Sequence, residues 1–113
     1  MKTNSAVAAL AALAQDSRLA IFRALVQAGP NGLPAGKISE AIGISPSSLS
    51  FHMKELTHAD MVTSRHEGRF VIYSANFATM SGLLAFLTDN CCGGNPCTPT
   101  RNFACLTPED AAS

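Results

Sequence analysis

The chain has 113 residues, 47% of them hydrophobic, which is one domain's worth of length with ample apolar content for a core. Eight Lys/Arg balance eight Asp/Glu, so the basic excess usual in DNA binders is missing and any nucleic-acid contact must come from a local patch. No apolar run approaches the roughly 18 residues of a membrane span, so no membrane partner is expected.

The N-terminal stretch "MKTNSAVAALAALAQ" mimics a signal peptide, with an early Lys2 and a mild apolar run. The run is alanine-heavy and weak for an h-region. It reads instead as an amphipathic helix capped by Asn4 or Ser5, with Val7, Leu10 and Leu13 on one stripe. The chain is therefore expected in the cytoplasm, where cysteines point to metal or redox chemistry rather than to structural disulfides. A second helix follows, with Asp16 as N-cap and Leu19, Phe22, Leu25 and Val26 as its apolar face. "GPNG" ends it with turn chemistry.

"LPAGKISEAIG" predicts a short helix with Ile38 and Ile42 four apart and Gly43 as a left-handed stop. Ser45 then caps a helix that has Pro46 at its first position. Leu49, Met53 and Leu56 form its stripe, which Asp60 extends. Period 3.6 gives way to β-branched and aromatic residues in "MVTSRHEGRFVIYSA", a β-hairpin centred on Glu67-Gly68. The last helix, "FATMSGLLAFLTDN", carries Phe77, Met80, Leu83, Leu84, Phe86 and Leu87. Its apolar arc is too wide for one small core, so part of it is expected to meet a partner. The expected fold is mainly α with a β-hairpin, a winged helix-turn-helix. Residues 1–90 make that domain, and 91–113 make an irregular C-terminal tail.

Opposite the stripe of the helix after Ser45 lie Ser47, Phe51 and Lys54, flanked by Ser48, Ser50 and Glu55. Small hydroxyls near a helix N-terminus suit phosphate and base-edge contacts. Phe51 either meets a thymine methyl, packs under the wing, or is simply an exposed aromatic. His52 sits beside the core stripe, as a structural histidine would. Arg65, His66 and Arg69 surround the hairpin tip, where the plain alternative is a solvated turn.

The cysteines are Cys91, Cys92, Cys97 and Cys105, spaced C-C-x4-C-x7-C, unlike the paired CxxC of a structural zinc site. A vicinal pair with a third thiol close by suits a pyramidal ion that takes three soft ligands, such as As(III) or Sb(III). Gly93, Gly94 and Pro96 allow the return that brings Cys97 back to the pair. Zn or Cd is the alternative, with Cys105 as a fourth ligand, a spare thiol or a disordered bystander. A helix C-terminus disfavours thiolates, which ranks redox sensing below metal capture. No nucleophile–base constellation argues for an enzyme.

"SRLAIFRALV", "SLSFHMKELTHADMV" and "RHEGRFVIY" together resemble the ArsR-type family of metal-sensing transcriptional repressors, over roughly residues 8 to 90. The resemblance implies a homodimer through its first and last helices, operator DNA bound without metal, and release when metal binds. It also implies that Ser50 and His52 join the DNA-facing set. Two sensing sites familiar in that family are missing. The short helix "AGKISEAIG" has no cysteine, and the last helix has Asp89 but no histidine. The cysteine trio past the last helix resembles an arsenic-responsive branch. The expectation is a repressor whose Ser47, Ser48, Ser50, Phe51, His52, Lys54, Arg65, His66 and Arg69 meet DNA. Cys91, Cys92 and Cys97 would hold the metalloid. The rivals are a thiol redox switch on the same fold and a zinc-stabilised interaction module without an operator.

Overall fold

The computed structural model describes residues 1–94, in the order α1 (Thr3–Leu13), α2 (Asp16–Ala28), β1 (Leu33–Pro34), α3 (Ala35–Ile42), α4 (Pro46–His58), β2 (Val62–Glu67), β3 (Phe70–Ala75) and α5 (Phe77–Leu87). A tight turn, Cys91–Gly94, follows. The winged helix-turn-helix expected from the sequence is the fold observed.

α1 buries Ala6, Ala9 and Ala12, while Val7 and Leu10 face outward. The expected Val7–Leu10–Leu13 stripe is thus corrected: only Leu13 touches the core. Alanines on the inward face let α1 lie close to α2 and α4. Neither Asn4 nor Ser5 caps this helix; its N-cap is Lys2, with no side-chain hydrogen bond. At α2 the cap is Gln15, whose Oε1 accepts from the Arg18 amide at 2.9 Å, in place of the expected Asp16. Arg18 also donates through Nε to the Ala12 carbonyl at 2.7 Å. That bond satisfies one of the orphan carbonyls at the end of α1 and fixes the bend between the two helices. The buried face of α2 is Ile21, Phe22 and Leu25, with Leu19 turned to solvent.

Gly29 and Gly32 both take positive φ in the turn that follows. Leu33–Pro34 then pairs with β3 as a two-residue strand, where the sequence pattern places the start of the next helix. The sheet is antiparallel in order β1-β3-β2, with Leu33 opposite Tyr73 and Val62 opposite Ala75. The hairpin turns at Gly68-Arg69 between the paired Glu67 and Phe70, one residue later than expected.

Gly43 stops α3 in the left-handed conformation, its amide bonded to the Ser39 carbonyl at 2.8 Å. Ser45 caps α4 and Pro46 opens it, as the sequence indicates. Leu49, Met53 and Leu56 are buried. Asp60 does not extend their stripe: it sits past the helix end at φ 59 and is exposed. The chain turns there into Met61 and Val62, both fully buried. The Asn76 amide bonds the Met61 carbonyl at 2.8 Å, and the Asn76 side chain caps α5. The core therefore lies where α2, α3 and α4 meet the root of the hairpin, with α1 closing one side.

α5 buries only Leu83 fully, and Leu87 is exposed. Met80 and Phe86 pack partly against the core.

Candidate nucleic-acid interface and thiol cluster

Burying Leu49, Met53 and Leu56 commits the opposite face of α4 to solvent. Ser47, Ser48, Ser50, Phe51 and Lys54 are all exposed there. Phe51 is 58% exposed, so it does not pack under the wing. The serines form a small hydroxyl cluster at the helix start. The Ser45 hydroxyl accepts from the Ser48 amide at 3.2 Å and donates to the Ser48 hydroxyl at 3.1 Å. Ser47 Oγ lies 3.2 Å from Ser45 Oγ. With its one proton directed at Ser48, Ser45 accepts from Ser47, which leaves the Ser48 hydroxyl proton free to meet an anion. The open amides of the first turn and the positive end of the helix dipole lie at the same place.

His52 is half-buried and differs from the satisfied structural histidine that its position suggests. Its Nδ1 is buried without a hydrogen-bond partner. Its ring stands edge-on to that of Phe51, with centroids 5.6 Å apart and an interplanar angle of 67°.

The wing divides its three expected contacts. His66 and Arg69 are exposed near the tip. Arg65 is occupied within the chain. Its Nη2 donates to the Asn31 carbonyl at 2.8 Å and its Nη1 to Ser74 Oγ at 3.4 Å. Its Nε faces Glu67 Oε1 at 3.4 Å. Ser74 in turn donates to the Pro30 carbonyl at 3.2 Å. Arg65 therefore ties the 29–32 turn to the hairpin, a role that sequence spacing does not suggest because Asn31 lies far away along the chain. Phe70, which no sequence motif singles out, is 64% exposed beside Arg69.

Past α5, Thr88 bonds back to the Leu84 carbonyl through both its amide and its hydroxyl, and the Cys91 amide bonds the Thr88 carbonyl at 2.9 Å. Asn90, Cys92 and Gly93 all take positive φ, so the chain turns sharply at the vicinal pair. Cys91 is a half-buried free thiol. Cys92 is exposed. Cys97 and Cys105 lie outside the described residues, so the expected trio is described only in its first two members. Among the described residues no group of three His, Cys, Asp or Glu side chains converges as a metal site. No single described helix is long and apolar enough to cross a membrane.

A helix-turn-helix domain model matches residues 13–65. The chain is 31% identical over 97 residues to the transcriptional activator HlyU of Vibrio cholerae, covering 84% of this chain and 87% of that protein. It is 32% identical over 81 residues to the arsenical resistance operon repressor of Bacillus subtilis, covering 72% and 73%. Similarity to the nodulation protein NolR of Rhizobium meliloti is 29% over 80 residues and spans 63% of that protein's length. The reduced form of Vibrio cholerae HlyU matches in structure with a TM-score of 0.62, at 28% identity over 80% of this chain and 92% of that one. An ArsR-like transcriptional regulator from Rhodococcus sp. RHA1 shares the fold with a TM-score of 0.66, at 23% identity over 74% and 76%.

Proposed function

This chain belongs to the ArsR-type family of winged helix-turn-helix transcriptional regulators, which are not enzymes, and from that premise we propose that it is a homodimeric repressor released from operator DNA by As(III) or Sb(III). The observation that carries the reading is the exposed face of α4, where three serine hydroxyls, Phe51 and Lys54 stand opposite a fully buried stripe. Nothing in the described core uses them. Hydroxyls and open amides at the helix start hold a phosphate and fix register, while Phe51 and Lys54 reach base edges. His66 and Arg69 meet the backbone or the minor groove beside the wing. Exposed Val7, Leu10 and Leu87 on the first and last helices supply an apolar face for a second copy.

The thiols fit the effector by the chemistry of their donor set. Vicinal cysteines in a sharply turning chain, with Cys97 five residues further on, offer three soft donors to one trivalent ion. Capture displaces thiol protons, so affinity falls as pH is lowered. The soft ion replaces those protons and locks the segment that leaves α5. Since α5 belongs to the proposed dimer face, locking it alters the spacing of the two recognition helices, which must match half-sites about one DNA turn apart. The relative named as an arsenical resistance operon repressor supports the effector class.

The same cysteines carry a second reading, in which thiol oxidation itself is the signal. A disulfide removes one of the thiolates that the metalloid needs, so the two signals exclude each other on one chain.

The test is arsenite titration of the fully reduced protein bound to a fluorescent fragment of its own promoter, followed by anisotropy. Release by stoichiometric arsenite, lost in Cys92→Ser, supports the metalloid reading. Release by oxidant alone, reversed by dithiothreitol, supports the redox reading. Failure to bind the promoter while zinc copurifies favours an interaction module.

A further inference from the structure

His52 is the one described side chain whose buried polar atom has no partner, and that defect determines what its other ring atom presents. We infer that His52 carries its proton on Nε2 and offers DNA a hydrogen-bond donor only, so its target on the operator is an acceptor atom. The inference rests on the DNA-binding reading above and specifies the chemistry of one contact within it.

The two ring edges differ. Nδ1 is buried and unpartnered, with the ring edge-on to that of Phe51. Nε2 is neither buried without a partner nor hydrogen-bonded to the chain, so it opens to solvent on the flank of α4. A neutral imidazole has one N–H and one bare lone pair. Were the proton on Nδ1, an unmet donor would be sealed inside and a lone pair would point at a polyanion. With the proton on Nε2 the donor is solvated, and only a lone pair goes unmet inside. Orphaned N–H groups are the rarer defect in folded proteins, under-satisfied acceptors the more tolerated one. On the exposed side, a donor suits DNA, where phosphate oxygens and the major-groove N7 and O6 of guanine accept. Cytosine N4 and adenine N6 are donors and are excluded as partners.

The experiment has two parts on the full-length reduced protein. Long-range proton–nitrogen NMR of the free protein reads the tautomer directly, and an Nε2-protonated His52 is expected. Anisotropy with the promoter fragment then compares two variants. A glutamine amide nitrogen reaches the position of Nε2, an asparagine nitrogen only that of Nδ1. His52→Gln is expected to bind within about threefold of wild type, and His52→Asn to lose about tenfold or more. An equal loss on a scrambled duplex, at an unchanged salt slope because a neutral imidazole displaces no counterion, assigns the partner to phosphate; a loss confined to the promoter assigns it to a base. Protonation on Nδ1, or His52→Asn binding as well as His52→Gln, overturns the inference while the DNA-binding reading stands. Wild type that ignores its promoter overturns both.

Discussion

At single residues the structure turns on a few crowded positions around the wing root. A Cβ at Gly32 would lie 2.5 Å from Ser74 Oγ and closer still to the Tyr73 carbonyl oxygen, at φ +73. Both objections are independent, since the clash comes from β3 and the strain from the backbone. Gly32→Ala is expected to cost at least about 2 kcal/mol, read as a lower urea midpoint at unchanged slope. Arg65 depends on the same turn. Its pair with Glu67 is exposed and contributes little, so its worth lies in the fork that reaches Asn31 and Ser74 together. Lysine has one nitrogen where arginine has three. Arg65→Lys is expected to destabilise by about 1 kcal/mol and to loosen the wing; hydrogen exchange of the β2 and β3 amides would rise, and unchanged exchange would refute the tie. Sequence legibility fails at this scale for a clear reason. Ser45, Pro46 and Gly43 act on neighbours and are readable, while Arg65 and Gly32 act across the fold.

Elements are legible wherever one face alone decides. The α4 stripe of Leu49, Met53 and Leu56, its cap and its hydroxyl-bearing outer face all follow from a single period. In α1 the sequence gives the period correctly and the side incorrectly. Two faces compete there, one of alanines and one of Val7 and Leu10, and side-chain size favours the wrong one. The alanine face is inward because α1 lies near both α2 and α4, where a larger side chain has no room. Ala9, fully buried, tests this. Ala9→Leu is expected to destabilise by about 1–3 kcal/mol through overpacking, whereas Val7→Ala leaves monomer stability within about 0.5 kcal/mol. Equal thermal midpoints for the two variants would mean that α1 is not packed as described. In α2 the difference is one step of rotation, with Leu19 exchanged for Ile21, since Phe22 and Leu25 belong to both candidate stripes. β1 escapes sequence reading because two residues ending in proline carry no period.

For the whole molecule, the same turned-out α1 face links shape to regulation. Val7, Leu10 and Leu87 remain exposed in a single copy, and a dimer through the first and last helices would cover them. Leu10→Asp places a charge on that face without touching the core. It is expected to shift sedimentation from dimer to monomer while the fold stays cooperative. DNA affinity should drop by roughly 10²–10⁴, because two half-sites then bind independently. A Leu10→Asp protein that remains dimeric locates the interface elsewhere. Cys91 and Cys92 follow α5 in the chain, so in the proposed mechanism the signal reaches this face through that helix. That arrangement has a thermodynamic consequence independent of the path. If arsenite weakens operator binding by some factor, saturating operator must weaken arsenite binding by the same factor, with a coupling of about 1–3 kcal/mol. Calorimetric arsenite titrations with and without the promoter fragment measure that factor from one side, and anisotropy measures it from the other. Agreement establishes one coupled equilibrium. Arsenite affinity unchanged by DNA, alongside arsenite-driven release, would mean that release comes from chemical modification of the thiols rather than from a reversible switch.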